Sequence, residues 1–467
     1  RLSPSRSGYD FGALRIGYDF ESMQLISETA YIRKVADNFF DGTSRWPAVP
    51  GVPTQAQVDT SDSDTWSQEL RLVSNDAAGS RWQWVTGVAA WRQDLYYKLQ
   101  VPMSAPLVAM IPGLGELLTQ FPGLGSLFAD DGSPSLANLE TDVSVDEIAW
   151  FGDVTRLLGE RWELSLGGRL YRTTSGGAAK QSGLALFAVN GEPEYVIDDE
   201  IREQGFNPKL SLLWNASDNV LAYAAASRGF RVGGIQPGFA APGSAPAPET
   251  FKSDTLWNYE LGVRTQWFDN MLRFDVTGFR ADWEDPQTFQ LDSQGLGVYI
   301  DNAGGVESTG VEAALQTVLP FGLTLTAAAA YVDTVTTEPF VASDRATVPP
   351  GARWPFAPEW QTAASLVQLL PLGDWLFSIG ATHTYLSEAP VSLAPSQFFE
   401  VFGFEQWDLQ LGAKNPAVAW MPELSVTLNN LTDERGITHY WRSGTVDTVD
   451  ATYIRPRALT VRLSGRF

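Results

Sequence analysis

The sequence predicts an all-β protein, an antiparallel transmembrane β-barrel. Three observations predict it: a period-two alternation that recurs from end to end, the length of the alternating segments, and connections that are short and long in turn. In one segment Trp257, Tyr259, Leu261, Val263, Thr265 and Trp267 share a parity, while Asn258, Glu260, Gly262, Arg264 and Gln266 hold the other. The same pattern sets Trp162, Leu164, Leu166, Gly168 and Leu170 against Glu163, Ser165, Gly167, Arg169 and Tyr171. No run of about 18 apolar residues occurs, so a helical membrane span is not supported.

Taken in order, the first segment is Gly8 to Phe20, closed by the tight turn Phe20-Glu21-Ser22. Further tight turns follow at Ala77-Ala78-Gly79-Ser80, Gly159-Glu160, Ser217-Asp218-Asn219, Phe268-Asp269-Asn270, Pro320-Phe321-Gly322 and Leu372-Gly373-Asp374. Long connections are expected between them, near 36–64, 98–142, 174–204, 232–253, 286–304, 337–356, 388–404 and 434–456. About 17 segments are counted, most of roughly 9 to 15 residues, as tilted membrane strands require, where soluble strands average about 5 or 6. Trp257 and Trp267, ten residues apart, would stand roughly 25 Å apart along the membrane normal, the height of an apolar band between two aromatic girdles.

Composition narrows the function. Over 467 residues, 32 Lys and Arg oppose 55 Asp and Glu, a formal charge of −23, which excludes a protein that neutralises nucleic-acid phosphates. Cysteine is absent and histidine is limited to His383 and His439. Thiolate metal sites, disulfides and cysteine nucleophiles are therefore excluded, and no nucleophile–base set with His is apparent, so the expectation is no enzyme, no cofactor and no resident metal. Acidic clusters at Asp59, Asp62 and Asp64 and at Asp130 and Asp131 read either as calcium ligands or as solvated loops.

Several segments together resemble the C-terminal barrel of TonB-dependent outer-membrane receptors. They are Ser67-Gln68-Glu69-Leu70-Arg71-Leu72, Asn207-Pro208-Lys209-Leu210, Tyr223 to Gly234, Trp257-Asn258-Tyr259-Glu260-Leu261-Gly262, Asn302-Ala303-Gly304, Gly310-Val311-Glu312, Asn430-Leu431-Thr432-Asp433 and Pro456-Arg457 leading to Phe467. The resemblance implies one barrel domain over 1–467, with about 17 strands present of a family barrel of about 22 whose lumen holds a plug. The plug, about five strands and the segment that family members use to contact TonB are then expected to lie outside this sequence. It also implies residence in the outer membrane of a Gram-negative bacterium, with outer-membrane lipid, the TonB complex and the barrel assembly machinery as partners and no nucleic acid.

Parity places Glu69, Arg71, Arg169, Lys209, Glu260, Arg264, Glu312 and Arg462 on the lumen side, where charge meets water or a polar plug. At the carboxyl end Leu459, Val461, Leu463, Gly465 and Phe467 alternate with polar residues. Of these, Leu463, Gly465 and Phe467 resemble the signal read by the assembly machinery. In the long connections Phe289, Tyr299, Phe398, Phe399, Phe402, His439, Tyr440 and Trp441 offer rings that either stack on a flat ligand or pack the loops. Arg228, Arg231 and Arg442 are the nearby cations for an anionic substrate. The family's commonest ligand is an iron–siderophore complex, with cobalamin or an oligosaccharide behind it. A passive porin and a surface docking barrel are the other readings.

Overall fold

The computed structural model describes residues 5–41, 56–75, 80–110, 113, 116, 125–236, 248–291, 298–342, 346–393, 400–401, 403–418, 421–442 and 449–465. Among the described residues seventeen strands form one antiparallel sheet, the number expected. In chain order they are β1 (Ser5–Asp19), β2 (Met23–Asp41), β3 (Ala56–Ser74), β4 (Trp82–Pro102), β5 (Ser135–Leu158), β6 (Trp162–Ser182), β7 (Glu194–Ser217), β8 (Val220–Arg231), β11 (Asp254–Trp267), β12 (Leu272–Glu284), β15 (Val306–Leu319), β16 (Leu323–Thr336), β19 (Trp360–Leu372), β20 (Trp375–Leu386), β23 (Phe404–Lys414), β24 (Glu423–Asn429) and β27 (Ala458–Ser464). Each pairs with the next, and no ladder joins β1 to β27 among the described residues.

Among the described residues five small hairpins stand in the long connections, all at one end of the sheet. They are β9 (Gly234–Ile235) with β10 (Thr250–Phe251), β13 (Gln287–Leu291) with β14 (Val298–Asn302), β17 (Phe340–Val341) with β18 (Thr347–Val348), β21 (Ala389–Pro390) with β22 (Glu400–Val401), and β25 (Ile437–Arg442) with β26 (Val449–Tyr453). Short helices occupy Ala105–Met110 and Leu184–Asn190, the latter ended by Gly191 at φ 73°.

Residues directly opposite in an antiparallel ladder share a face, so the register assigns the two surfaces. One row runs Leu70, Val88, Trp150, Leu170 and Phe206 across five strands. All five are 43 to 51% exposed, an apolar outer face with no protein against it, as a lipid-facing wall requires. The row on the opposite face runs Arg15, Glu28, Glu69, Ala89, Ala149 and Tyr171.

The strands depart from expectation in length. β2 to β7 have 19 to 24 residues, so the flanks of the loops expected at 36–64, 98–142 and 174–204 are strand, at 36–41 and 56–64, at 98–102 and 135–142, and at 174–182 and 194–204. Their amphipathicity reverses partway. In β5 the outer face is apolar through Val154, Trp150 and Ile148 and then becomes Asp146, Ser144, Asp142 and Glu140, while the inner face turns from Asp153 and Glu147 to Leu139, Ala137 and Ser135, which are buried. About ten residues separate Leu158 from Ile148 on the outer face, again about 25 Å of tilted strand. Above that height the outer face is polar. The inside is there covered by the chain itself, with Met103 and Leu127 packing on Leu184, and Ile235 on Ala179 and Ile197.

Candidate functional site

The end of the sheet that carries the long connections is held by a buried polar network. Asp254 opens β11 opposite Arg231, the last residue of β8. Its carboxylate is buried and accepts from the Arg231 backbone N–H at 3.1 Å, from Arg231 Nε at 2.8 Å, from the guanidinium end, and from the Gln287 N–H at 3.0 Å. The guanidinium also lies over the Trp283 ring, 4.8 Å from its centroid. Glu203, from β7, accepts from Gly233 N at 3.2 Å, Ser253 N at 3.0 Å and the Ser253 hydroxyl.

Carboxamides complete the network, because each carries a donor and an acceptor and can take the place of a backbone partner. Gln236 is 1% exposed. Its Oε1 accepts from Ile300 N at 2.7 Å and its Nε2 donates to Ile300 O at 2.8 Å. Asn302 does the same for Lys252, accepting from its N at 2.8 Å and donating to its O at 3.0 Å. Gln287 Nε2 donates to Val232 O and Lys252 O, both at 3.0 Å. The β9–β10 and β13–β14 hairpins are therefore stitched into one platform. None of Glu203, Gln236, Asp254, Gln287 and Asn302 was singled out for this role from the sequence, because the partners lie 23 to 64 positions away and leave no local pattern.

On this platform Phe289 is 78% exposed, and Tyr299 sits opposite Gln290 in the same hairpin. Arg231 is committed to Asp254, so the charge expected to face an anion is already paired. Arg228 lies opposite Trp257 in the ladder, the opposite parity from Arg231. Its Nε is buried without a hydrogen-bond partner among the described residues, as are Asn207 Oδ1 and Thr173 Oγ1. Beside them Tyr171 stacks on Phe230 with centroids 3.7 Å apart, and its ring crosses Gly205, where a Cβ would overlap it. His439, Tyr440, Trp441 and Arg442 lie in β25, paired through the backbone with Thr452, Ala451, Asp450 and Val449. Phe398, Phe399, Phe402 and Phe467 lie outside the described residues. Leu463 is exposed on the apolar face in β27, followed by Gly465.

The eight charged residues expected on the lumen side do share one face. The ladders link Arg71 with Arg169, Lys209 with Ser227 and Asn258, Arg264 with Asp275 and Ala314, and Ser425 with Arg462. On that wall Glu28 pairs with Arg15 and Arg71, each at 3.1 Å, and Arg71 also reaches Glu69. Arg169 pairs with the buried Glu147. Shallow depressions of about 460 and 480 Å³ lie along the wall, one beside Arg15, Glu28, Glu69 and Arg169, the other beside Arg264, Glu312 and Gln361. Arg264 rests over Tyr223, 5.2 Å from its centroid, and Tyr223 lies flat across Gly262.

The acidic clusters are engaged by cations and hydroxyls. Asp62 pairs with Arg33 at 2.8 Å, Asp130 with Lys98 at 2.6 Å, and Asp64 accepts from the Tyr31 hydroxyl. Among the described residues no three acidic or histidine side chains converge as a metal site. In the loops, the Ser133 hydroxyl and N–H hold the Asp131 carboxyl below its usual range. Burial in the β13–β14 hairpin pushes Asp301 above it, against the opposing Asn302 N–H.

Comparison with known proteins agrees with this architecture. Residues 1–431 match the family described as TonB dependent receptor-like, beta-barrel. The ferric yersiniabactin uptake receptor FyuA from Yersinia pestis superposes with a TM-score of 0.75 at 15% identity, over 98% of this chain and 62% of that one. The siderophore receptor PiuA from Acinetobacter baumannii gives 0.72 at 14%, over 99% and 65%. The ferric-catecholate import receptor Fiu from K12 E. coli, in its closed form, gives 0.69 at 14%, over 100% and 65%. The chain thus spans less than two thirds of the length of these receptors. With an apolar outer face, a charged inner wall and a family match over most of its length, the chain belongs to the TonB-dependent receptor β-barrel family.

Proposed function

We propose that the protein is an outer-membrane receptor that takes up a bulky, scarce nutrient by TonB-coupled transport, most simply an iron–siderophore complex. The observation that carries transport is the continuous charged wall on the inner face of a sheet whose outer face is apolar. Such a wall is affordable only around a hydrated or plugged lumen. The ferric-chelate class is supported by the names of the superposing receptors, ferric yersiniabactin uptake and ferric-catecholate import. In this reading the short turns face the periplasm and the hairpin platform faces outwards. Phe289 and Tyr299, with Phe398, Phe399, Phe402, His439, Tyr440 and Trp441, supply ligand-facing rings. Arg228 and Arg442 supply the nearby charge. Leu463, Gly465 and Phe467 are offered to the barrel assembly machinery.

The test is uptake of radiolabelled ferric chelates by a strain lacking this gene and complemented with it. Saturable uptake that collapses with a protonophore is expected, and Phe289→Ala should weaken ligand binding several-fold while the barrel still assembles. Uptake that rises linearly with concentration and ignores the proton gradient would make the protein a passive porin. Growth on cobalamin or an oligosaccharide alone would move the substrate class.

A further inference from the structure

The tall part of the sheet ends on one side in a bare strand edge. β7 pairs with β6 from Glu194, opposite Ser182, to Trp214, opposite Trp162. On its other side it pairs with β8 only from Lys209, opposite Ser227, downwards. The direction of its backbone groups follows from Asn215, whose N–H donates to Arg161 O on the β6 side. Odd-numbered residues of β7 therefore bond to β6, and even-numbered ones turn their N–H and C=O the other way. Above the fork these are Val196, Asp198, Glu200, Arg202, Gln204 and Phe206, all exposed, along roughly 33 Å of strand. Among the described residues no ladder reaches them, and the Glu200 N–H turns back to the Asp199 carboxylate at 2.7 Å.

Two features open the fork. Pro208 stands where the next bond to β8 would begin and has no N–H to give. The chain after β8 then turns inwards instead of rising beside β7: Gly233 N donates to Glu203 at 3.2 Å, and Ile235 packs on Ala179 and Ile197 of the inner face. Just above the last paired residues, Asn207 Oδ1 and Arg228 Nε are buried without a partner among the described residues. One lacks a donor and the other an acceptor, and a peptide group supplies both.

Edge strands are commonly guarded by lysine, by proline or by a covering loop. From Glu194 to Phe206 there is neither lysine nor proline, and the neighbouring hairpin lies on the inner face instead. Such an edge is a template for strand addition. Charge selects the strand. Glu194, Asp198, Asp199, Glu200 and Glu203 oppose Arg202 alone, and on the outward face Asp198 is followed across the sheet by Ala178 and then Asp142. Ala178 and Gly176, opposite Asp198 and Glu200, are small, so long basic side chains reaching over the edge find room between carboxylates. A second copy would set like charges against each other, which destabilises a ladder. We propose that the β7 edge from Val196 to Phe206 binds an extended, basic segment of another protein as an added strand, on the side of the molecule that carries the long connections.

The probe is an acetylated, amidated peptide of alternating lysine and valine, added to the receptor in nanodiscs. Residue-resolved hydrogen exchange should be fast at Val196, Asp198, Arg202, Gln204 and Phe206 in the free receptor and several-fold slower with the peptide, while the odd-numbered amides stay unchanged. Slow exchange at those positions before peptide is added would mean that the chain covers its own edge, and would refute the proposal. The same peptide N-methylated throughout should bind several-fold more weakly; equal binding would reduce the effect to charge and overturn strand addition. Gln204→Pro removes a donor from the free edge and none from the β6 ladder, a position where proline is tolerated. It should weaken peptide binding several-fold, and unchanged affinity would count against the edge. A charge reversal guards against misfolding of that variant: Asp198→Lys with Glu200→Lys should lose the lysine peptide and take one with glutamate in its place. Retention of the lysine peptide would again refute the proposal. A receptor that dimerises in detergent, and becomes monomeric with Gln204→Pro, would make the occupant a second copy and overturn it as well.

Discussion

Asp301 shows how one side chain couples a loop to its surroundings. Burial raises its pKa above the ordinary carboxylate value, so the folded hairpin binds a proton more tightly than the unfolded chain. Its contribution to stability is complete below the ordinary carboxylate pKa and is lost as pH rises through the raised value. Amide exchange across 298–302 should therefore quicken as pH climbs through that window, after correction for intrinsic exchange, and Asp301→Asn should flatten the trend. On the sheet itself, Leu261 is 68% exposed on the apolar face and Glu260 lies on the inner one. Leu261→Arg should cost roughly 2 to 4 kcal/mol near the midplane, measured by unfolding in lipid, and Glu260→Gln much less. Equal damage would mean that the faces are inverted. Asn430, in a segment singled out for its family resemblance, has a local physical reason for its identity. It adopts φ 52°, which asparagine tolerates, and its buried amide bonds Glu434 N, Glu434 O and Arg455 O.

Among the elements, the tall strands β2 to β7 and the paired hairpins were the least legible parts. Alternation is visible in sequence only while one parity stays apolar. In β5 the apolar parity changes sides between Ile148 and Leu139, where folded loops cover the inner face and the outer face turns polar, and the alternation shows a break that looks like a loop. The strand nevertheless continues, since its ladder needs backbone partners rather than a constant face. The hairpin platform was hidden for another reason: a carboxamide that imitates a backbone partner has no preferred spacing. Gln236→Leu should leave the Ile300 N–H and C=O without their side-chain partner, at a cost of about 1 to 3 kcal/mol. Faster amide exchange confined to the β9–β10 and β13–β14 hairpins, with β11 and β12 unchanged, is the expected result. Loss of protection throughout the sheet would mean that Gln236 supports the whole fold rather than this platform.

For the whole molecule, orientation is the property that a simple experiment reads best. A tag inserted after Gly132, in the exposed turn that precedes β5, should be labelled on intact cells. One placed in the Asp218-Asn219 turn should be labelled only after the outer membrane is opened, and the reverse pattern would invert the topology. The inner wall belongs to this scale too. Arg15, Glu28, Arg71 and Glu69 form one chain of charge across three strands, although no two of these strands are read from the same stretch of sequence. Alternation by itself determined the strand count, the two faces and the eight charges of the inner wall, because parity in a β-strand is a local geometric consequence of the backbone. Alternate short and long connections likewise determined which end carries the loops. Only the tertiary structure decided that Arg231 is paired with Asp254, that the loops after β8 and β12 form one platform, and that the strands run on past the apolar band at one end. Those outcomes depend on which distant groups meet and on where the loops fold back over the sheet, neither of which is encoded in the period of a single segment.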